Sequence, residues 1–212
     1  LDRHPEHLVE IFASWEGYGR SARDFHLQGV GIEVKTTRGS RSRHRVQGVR
    51  QVEIGHGRPG HPESALYLVS IGIDAPEEGA GGHEWTLPGV VDSILLRAEA
   101  AIASPDEYRS LAARFLEQVR TYGSAFGEGY DHHEMRNHVL FGTRFRTAFV
   151  RAYDMGDPAI TVLRGSDLVA FGMVDPQSVE YAVDLPEYVQ GDVNPVAGMT
   201  AATTTIAGRA WG

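Results

Sequence analysis

The sequence predicts an α/β fold in which a mixed sheet is flanked by helices. Three observations support this: apolar and polar residues alternate on both sides of a glycine turn at 29–31, an apolar run covers 66–73, and apolar residues recur at three- and four-residue steps after Ser104. The chain has 212 residues, of which 42% are hydrophobic. It is long enough to bury a core and too apolar to remain unfolded.

The N-terminal part combines a short helix with strands. Residues 8–12 have the apolar spacing of one helix face, and because Leu1 is not a methionine we expect a truncated N-terminus. The alternating segments around the glycine turn predict a β-hairpin. A third strand is expected at 44–49, and the apolar run at 66–73 has the pattern of a strand buried on both faces.

The C-terminal part begins with helices and returns to strands. Helices are predicted at 87–102 and from Pro105 onward, the second one capped by Ser104. Strands are expected at 139–153, 159–163 and 178–183, whereas the Ala-, Thr- and Gly-rich end has little periodicity. These patterns predict an N-terminal core at 1–82, a helical and strand-rich extension at 83–190, and a flexible tail at 191–212.

Composition excludes several classes of protein. The longest apolar runs are shorter than the roughly 18 residues of a membrane-spanning helix, so no membrane association is expected. The chain has no cysteine, which excludes a disulfide framework and a thiol nucleophile. It shows no secretory signal pattern and no G-x-S-x-G hydrolase motif. We therefore expect a cytoplasmic protein.

Positive charge is concentrated in one segment. Residues 1–60 carry 10 Arg and Lys against 7 Asp and Glu, whereas residues 61–212 carry 10 against 21. Residues 35–50 contain six cations and no carboxylate, a density that attracts a phosphate backbone, although a solvated arginine-rich loop is the alternative. The predicted nucleic-acid contacts are Arg38, Arg41, Arg43, Arg45 and Arg50.

The residues with the clearest chemistry are Asp24, Glu33 and Lys35. Glu33 and Lys35 project from the same face of a strand, and Asp24 on the neighbouring strand can lie across from them. Two converging carboxylates repel each other unless a hard divalent cation such as Mg²⁺ lies between them. A surface salt bridge between Glu33 and Lys35 is the alternative. Lys35 is the single lysine beside 19 arginines, which favours a position that needs a compact ammonium.

Two other motifs are weaker. Residues 29–36 are similar to a phosphate-binding loop, but that motif needs glycine where Val34 stands, and the segment has a strand pattern. The run Asp131-His132-His133-Glu134 is similar to a zinc helix, but H-E-x-x-H would require histidine at Asn137. A polar loop is the favoured interpretation of the second motif.

The candidate residues belong to a longer ordered series. The series is Trp15-Glu16-Gly17, Arg23-Asp24-Phe25, Gly31-Ile32-Glu33-Val34-Lys35-Thr36-Thr37, Gln51, Leu66-Tyr67-Leu68-Val69, Thr86-Leu87-Pro88 and Val179-Glu180-Tyr181-Ala182-Val183-Asp184. In this series the chain resembles the PD-(D/E)XK family proteins of restriction-endonuclease-like fold that are found in bacterial genomes. The resemblance spans most of residues 8–189.

The resemblance implies a restriction-endonuclease-like core with a divalent-metal phosphodiesterase site. Asp24 and Glu33 would match the acidic residues, Lys35 the catalytic lysine, and Gln51 a glutamine that similar nucleases place on a following helix. The implied ligands of Mg²⁺ (or Mn²⁺) are Asp24, Glu33 and Val34. The chain departs from the family in one respect, because the family has a further Gly-Glu-containing helix upstream of the first residue here.

The expected function is metal-dependent hydrolysis of DNA in a bacterial restriction or defence system. A catalytically inactive member of the same fold, which binds DNA or a partner subunit, is the alternative, and a structural scaffold subunit is a third. DNA is the expected partner. Protein partners are left open between other subunits of such a system and a second copy of the chain in a homodimer.

Overall fold

A computed structural model describes residues 5–19, 21–57, 60–76, 83–189 and 193–212. These residues form six α-helices and seven strands. The helices are α1 (Leu8–Ala13), α2 (Leu87–Ala101), α3 (Pro105–Phe126), α4 (His132–Met135), α5 (Gly165–Leu168) and α6 (Met199–Trp211). The strands are β1 (Phe25–Leu27), β2 (Val30–Thr37), β3 (Ser42–Gln47), β4 (Ala65–Asp74), β5 (Arg146–Asp154), β6 (Glu180–Leu185) and β7 (Val196–Ala197).

The chain divides into two compact units. One consists of Leu1–Arg20 with Ala75–Arg146, and the other of Ser21–Asp74 with Thr147–Gly212. We call them the helical unit and the sheet unit. This division does not follow the boundary predicted after residue 82, because the chain leaves the sheet unit after β4 and re-enters it with β5.

The helical unit contains α1 to α4. The hydroxyl oxygen of Thr86 accepts the N–H of Gly89 at the start of α2, and Ser104 accepts that of Glu107 at the start of α3. Apolar side chains of α1, α2 and α3 form its core, where the rings of Phe12 and Phe115 meet edge to face. Both helices predicted after residue 86 are confirmed. Among the described residues no helix is long and apolar enough to cross a membrane.

The sheet unit is built on a five-stranded mixed sheet of order β1-β2-β4-β5-β7. β1 and β2 are antiparallel, and β2 and β4 are parallel. The N–H of Met155, just after β5, donates to the carbonyl of Leu66 near the start of β4, so β4 and β5 run antiparallel. Gln28 and Gly29 take the left-handed backbone of a tight hairpin turn, with φ of 47° and 82°. The predicted hairpin and α/β class are confirmed.

The central strand β4 is buried on both faces, as its apolar run predicts. Tyr67 and Val69 face α6, where Ala202 and Ile206 cover the sheet. Leu66 and Leu68 face the opposite way and pack in a core that includes residues of β3 and β6. The third strand forms at Ser42–Gln47, but it pairs with β6 in a separate two-stranded sheet.

Three expectations for the C-terminal part differ from the structure. Residues 139–145 form a 3-10 turn and irregular chain, so only the second half of the strand expected at 139–153 is present. The strand expected at 159–163 is irregular chain. Within the expected tail, residues 191–192 lie outside the described residues, and Met199–Trp211 forms a helix. Its buried stripe consists mostly of alanine, which gives little hydrophobic contrast, and this explains why periodicity missed it.

Candidate active site

Asp24 lies immediately before β1 at the edge of the hairpin. Its carboxylate oxygen Oδ2 accepts the backbone N–H of Val34 at 2.7 Å. Because the N–H and C=O of one strand residue point to the same edge, the carbonyl of Val34 also faces the side of Asp24. Burial raises the pKa of Asp24 above its usual value, although the Val34 hydrogen bond and the Lys35 charge oppose this shift.

Glu33 and Lys35 lie on the same face of β2, as their spacing predicts. The Lys35 Nζ is 3.1 Å from the Glu33 Oε1, and both side chains are largely withdrawn from solvent. Burial raises the pKa of Glu33 to about 7; Lys35 opposes the shift and the nearby Asp24 adds to it. This ion pair is buried, so the interpretation as an exposed surface salt bridge does not describe it.

Gln51 lies on the 3-10 turn Val49–Val52. Its Oε1 accepts hydrogen bonds from the Lys35 Nζ at 3.0 Å and from the Gln47 N–H at 2.9 Å. The ammonium is therefore held between one carboxylate and one amide oxygen. The structure brings together Asp24, Glu33, Lys35 and Gln51, the four residues that the sequence predicts as catalytic.

A buried ion pair anchors this turn, and sequence reasoning missed it. Arg23 is 2% exposed, and its guanidinium makes two hydrogen bonds of 2.7 Å to the carboxylate of Glu63. The same guanidinium donates to the backbone carbonyls of Arg50 and Glu53 on either side of Gln51. Arg23 thus positions Gln51, which in turn contacts Lys35. Arg23 precedes Asp24 in the motif, but Glu63 lies 40 residues away and has no sequence signal of its own.

His44 and Ser70 form a second buried pair beside Lys35. Ser70 is the register partner of Lys35 across β2 and β4, and its Oγ is 2.7 Å from the His44 Nε2. Burial, and then the positive charge of Lys35, lowers the pKa of His44 to about 4. His44 is therefore neutral at physiological pH and adds no second cation beside the ammonium. Sequence reasoning missed His44, although the alternating pattern of β3 places its side chain on the buried face.

The basic segment is less positive than its sequence indicates. β3 pairs with β6, so Arg41 forms an ion pair with Asp184 at 2.7 Å, and Arg45 forms one with Glu180. The expectation of a segment without acidic neighbours is therefore wrong, because it considered only neighbours along the chain. Within this basic segment, counting partners among the described residues, the arginines without an ion pair are Arg38, Arg43 and Arg50, all exposed.

The donors at this site fit a divalent cation. Asp24 and Glu33 are close enough for the charge of one to raise the pKa of the other, and a bound cation would relieve that repulsion. The ligands that the residues offer are the oxygens of Asp24, Glu33 and the Val34 carbonyl, which suit a hard cation. Among the described residues no three or more His, Asp or Glu side chains are grouped as a metal site. The described residues therefore supply two carboxylates at this site, those of Asp24 and Glu33.

Comparison with known proteins identifies the family. No curated protein and no solved structure matches the chain. The model of the family described as "Putative PD-(D/E)XK family member, (DUF4420)" matches residues 1–124, more than half of the chain. The match includes Asp24, Glu33, Lys35 and Gln51. Nucleases with this motif generally use divalent metals. The chain belongs to this PD-(D/E)XK family.

Proposed function

We propose that the protein is an endonuclease that hydrolyses DNA phosphodiester bonds with Mg²⁺ or Mn²⁺. The observation that supports this most directly is the buried ammonium of Lys35, fixed between Glu33 at 3.1 Å and Gln51 at 3.0 Å beside the carboxylate of Asp24. A buried lysine with two acceptors and two neighbouring carboxylates suits stabilisation of a phosphate under attack.

In this proposal Asp24, Glu33 and the Val34 carbonyl hold the cation. When bound, the cation lowers the pKa of water and neutralises charge on the phosphate. Lys35 places a compact positive charge, with N–H donors, where negative charge develops on the phosphate oxygens. Gln51 fixes the direction of Lys35, and Arg23 fixes the turn that carries Gln51. Apart from the metal ligands, the chain thus contributes the orientation of Lys35 and the fixed positive charge of its ammonium.

The test is a cleavage assay with matched variants. We expect the purified protein to cut plasmid, linear or single-stranded DNA with Mg²⁺ or Mn²⁺ and to lose activity in a chelator. Asp24→Ala and Glu33→Ala should abolish metal binding. Lys35→Ala should keep it and lower turnover by about 100-fold or more, the effect of losing one electrostatic contact in the transition state. Asp106→Asn, an exposed carboxylate on α3, is the control. Intact DNA under all these conditions would contradict the proposal.

A catalytically inactive subunit that binds DNA or a partner is the second candidate. The observation that favours it is that the described residues provide only two carboxylates at the site and no group of three metal-ligating side chains. Calorimetric titration with Mn²⁺ separates the two candidates. A nuclease should bind the ion saturably in the wild type but not in Glu33→Ala, whereas an inactive subunit should show no such site. A scaffold subunit should bind neither metal nor DNA.

We further propose that the exposed arginines of the basic segment that have no ion pair contact the DNA backbone. Each phosphate contact should contribute about −0.9 to the slope of log affinity against log salt on duplex DNA. Replacing Arg38, Arg43 and Arg50 by alanine should flatten that slope by up to roughly 3 units. Arg41→Ala with Arg45→Ala should change it less, because Asp184 and Glu180 already neutralise these two side chains. An equal effect of both sets, or none, would show that the segment does not bind DNA in this way.

The same proposal gives a biological setting. A DNA endonuclease of this family suits a bacterial restriction or defence system in the cytoplasm, acting as a homodimer or with other subunits of that system. Size-exclusion chromatography with light scattering measures directly whether the protein is a homodimer. Co-purification of the full chain with the products of neighbouring genes tests the second.

A further inference from the structure

The helical unit contains a cavity that the proposed cleavage site does not use. Its volume is about 780 Å³, within the range of small-ligand sites in proteins. Residues 83–86, one side of α2 from Gly89 to Glu99, Tyr108 of α3, and Arg136 with Arg144 line it. A cavity of this size can hold one planar ring system with its substituents.

One wall of the cavity is aromatic and apolar. Trp85 is fixed through its backbone, because its N–H and C=O both bond to Phe145, at 2.8 and 2.9 Å. Its ring packs edge to face on His83 with the centroids 4.1 Å apart. Leu96, which also lines the cavity, is 67% exposed although it is a large apolar side chain. Trp85 and Leu96 therefore offer apolar surface to a ligand.

The cavity lining also contains a carboxylate and guanidinium pair that a buried network holds in place. Asp92 Oδ2 accepts a hydrogen bond from Arg136 at 2.9 Å, and Asp92 Oδ1 lies 3.1 Å from the His132 Nε2. The His132 Nδ1 is 2.6 Å from the hydroxyl of Tyr130. His132 and Tyr130 are 5% and 3% exposed. Burial raises the pKa of Tyr130 to about 12, so its hydroxyl keeps its proton and can donate to the ring.

This network accounts for the histidine motif of the sequence. His132 and its neighbours form the short helix α4 instead of a polar loop, and no metal group of three such side chains occurs among the residues described. In the tautomer in which Tyr130 donates to Nδ1, the Nε2–H of His132 donates to Asp92. The network ends on Asp92 and Arg136, two half-exposed side chains that line the cavity, and a binding site needs side chains held in place in this way.

We propose that this cavity binds a nucleobase. A base edge presents a hydrogen-bond donor next to an acceptor, and Asp92 beside Arg136 presents the complementary acceptor and donor. Trp85 supplies the surface on which the ring stacks. The ligand is either a free nucleotide or an unpaired base of a nucleic-acid strand. The site belongs to the helical unit and Lys35 to the sheet unit. The site needs no metal ion, so it can be tested even if the proposed nuclease activity fails.

The test is isothermal titration calorimetry of the full chain in metal-free buffer. The probes are the four deoxynucleoside monophosphates, each up to about 5 mM, and a short single strand compared with the same strand carrying an abasic position. We expect saturable binding of at least one probe. Trp85→Ala should weaken it by about 5- to 150-fold, the usual effect of removing a base–aromatic stack. Trp85→Phe, which keeps a ring, should retain part of the affinity.

The remaining variants separate recognition from folding. Asp92→Asn should change the preference among the four bases. His132→Gln should weaken binding although His132 itself does not contact the ligand, because His132 holds Asp92 in place. Leu87→Ala is the control, because Leu87 is 41% exposed on the same helix and does not line the cavity. Binding of free nucleotides or of the strand with its base would support the proposal and identify the source. It would be overturned by absence of saturable binding to every probe, or by equal binding in Trp85→Ala, Asp92→Asn and the control.

Discussion

Glu33→Gln should make the metal-free protein more stable at alkaline pH, although Glu33 is a proposed catalytic residue. Burial raises the pKa of Glu33 from 4.5 to about 7, and this net shift already includes the attraction of Lys35. The folded state therefore binds more protons than the unfolded state between about pH 4.5 and 7. Stability falls as pH rises through this window, because a charge must be kept in a buried position. Glutamine keeps the shape and an acceptor for Lys35 without this charge.

The magnitude follows from the shift. One pKa unit corresponds to about 1.4 kcal/mol, so ionised Glu33 lowers the free energy of unfolding by up to roughly 3 kcal/mol above pH 7. His44 acts in the opposite direction: its pKa is lowered to about 4, so stability rises with pH between about 4 and 6.5. The two groups offset each other in the wild type. His44 is present in both proteins, so the difference between variant and wild type isolates Glu33.

The assay is urea unfolding of both proteins in chelator at about pH 4.5, 6 and 8. We expect equal free energies of unfolding at the lowest pH and a growing advantage for Glu33→Gln as the pH rises. Glu180→Gln, at an exposed pair with Arg45, should stay within about 0.5 kcal/mol of wild type. Mg²⁺ should raise the stability of wild type more than that of Glu33→Gln. A variant that is no more stable than wild type at pH 8 would refute the reasoning.

Three further predictions concern the surroundings of this site. Lys35→Arg should keep metal affinity but cut single-turnover cleavage about 100-fold or more, since a planar guanidinium replaces a compact ammonium; full activity would remove the assigned role. Arg23→Met leaves the Glu63 carboxylate buried without its partner, so the free energy of unfolding should fall by about 3–5 kcal/mol; a near-neutral result would mean that Glu63 is solvated. Gly31→Ala places a Cβ against the same ion pair and should cost roughly 1–3 kcal/mol in thermal melts, whereas Gly172→Ala, with open space around it, should lack this steric cost.

Local sequence patterns were sufficient to predict the helices and strands whose turn or cap residues are adjacent to them in the chain. The hairpin depends on a turn at Gln28 and Gly29, and α3 depends on a cap at Ser104, so both could be predicted from adjacent residues. The helix α6 could not, because its buried face is made mostly of small residues and becomes a core element only against the sheet. The segment 159–163 is apolar enough for a strand, but it contributes Ile160 to a core without pairing in a sheet.

The residues of the candidate active site also divide into those that could be predicted from nearby positions in the chain and those that could not. The spacing of Asp24, Glu33 and Lys35 on a hairpin was enough to bring these three together, whereas Gln51 was implied only by the resemblance to the family. The residues that complete their surroundings come from other parts of the chain. Glu63 pairs with Arg23 through a buried contact, and the carboxylates that neutralise two arginines belong to β6, more than 130 residues away. Charge counted along the chain therefore overestimated the positive surface.

The electrostatics of the site distinguish its proposed functions before any cleavage is measured. Asp24 and Glu33 both have raised pKa values, mainly because they are buried, and each lies near a second carboxylate. If the protein were only a scaffold, uncharged side chains at these two positions would be more stable, and nothing would restore the lost stability. A cation-binding site explains why the charges are kept, because the ion recovers in binding what the metal-free fold loses. Stabilisation by Mg²⁺ that depends on Asp24 and Glu33 would therefore argue for a metal site even where the DNA substrate has not been found.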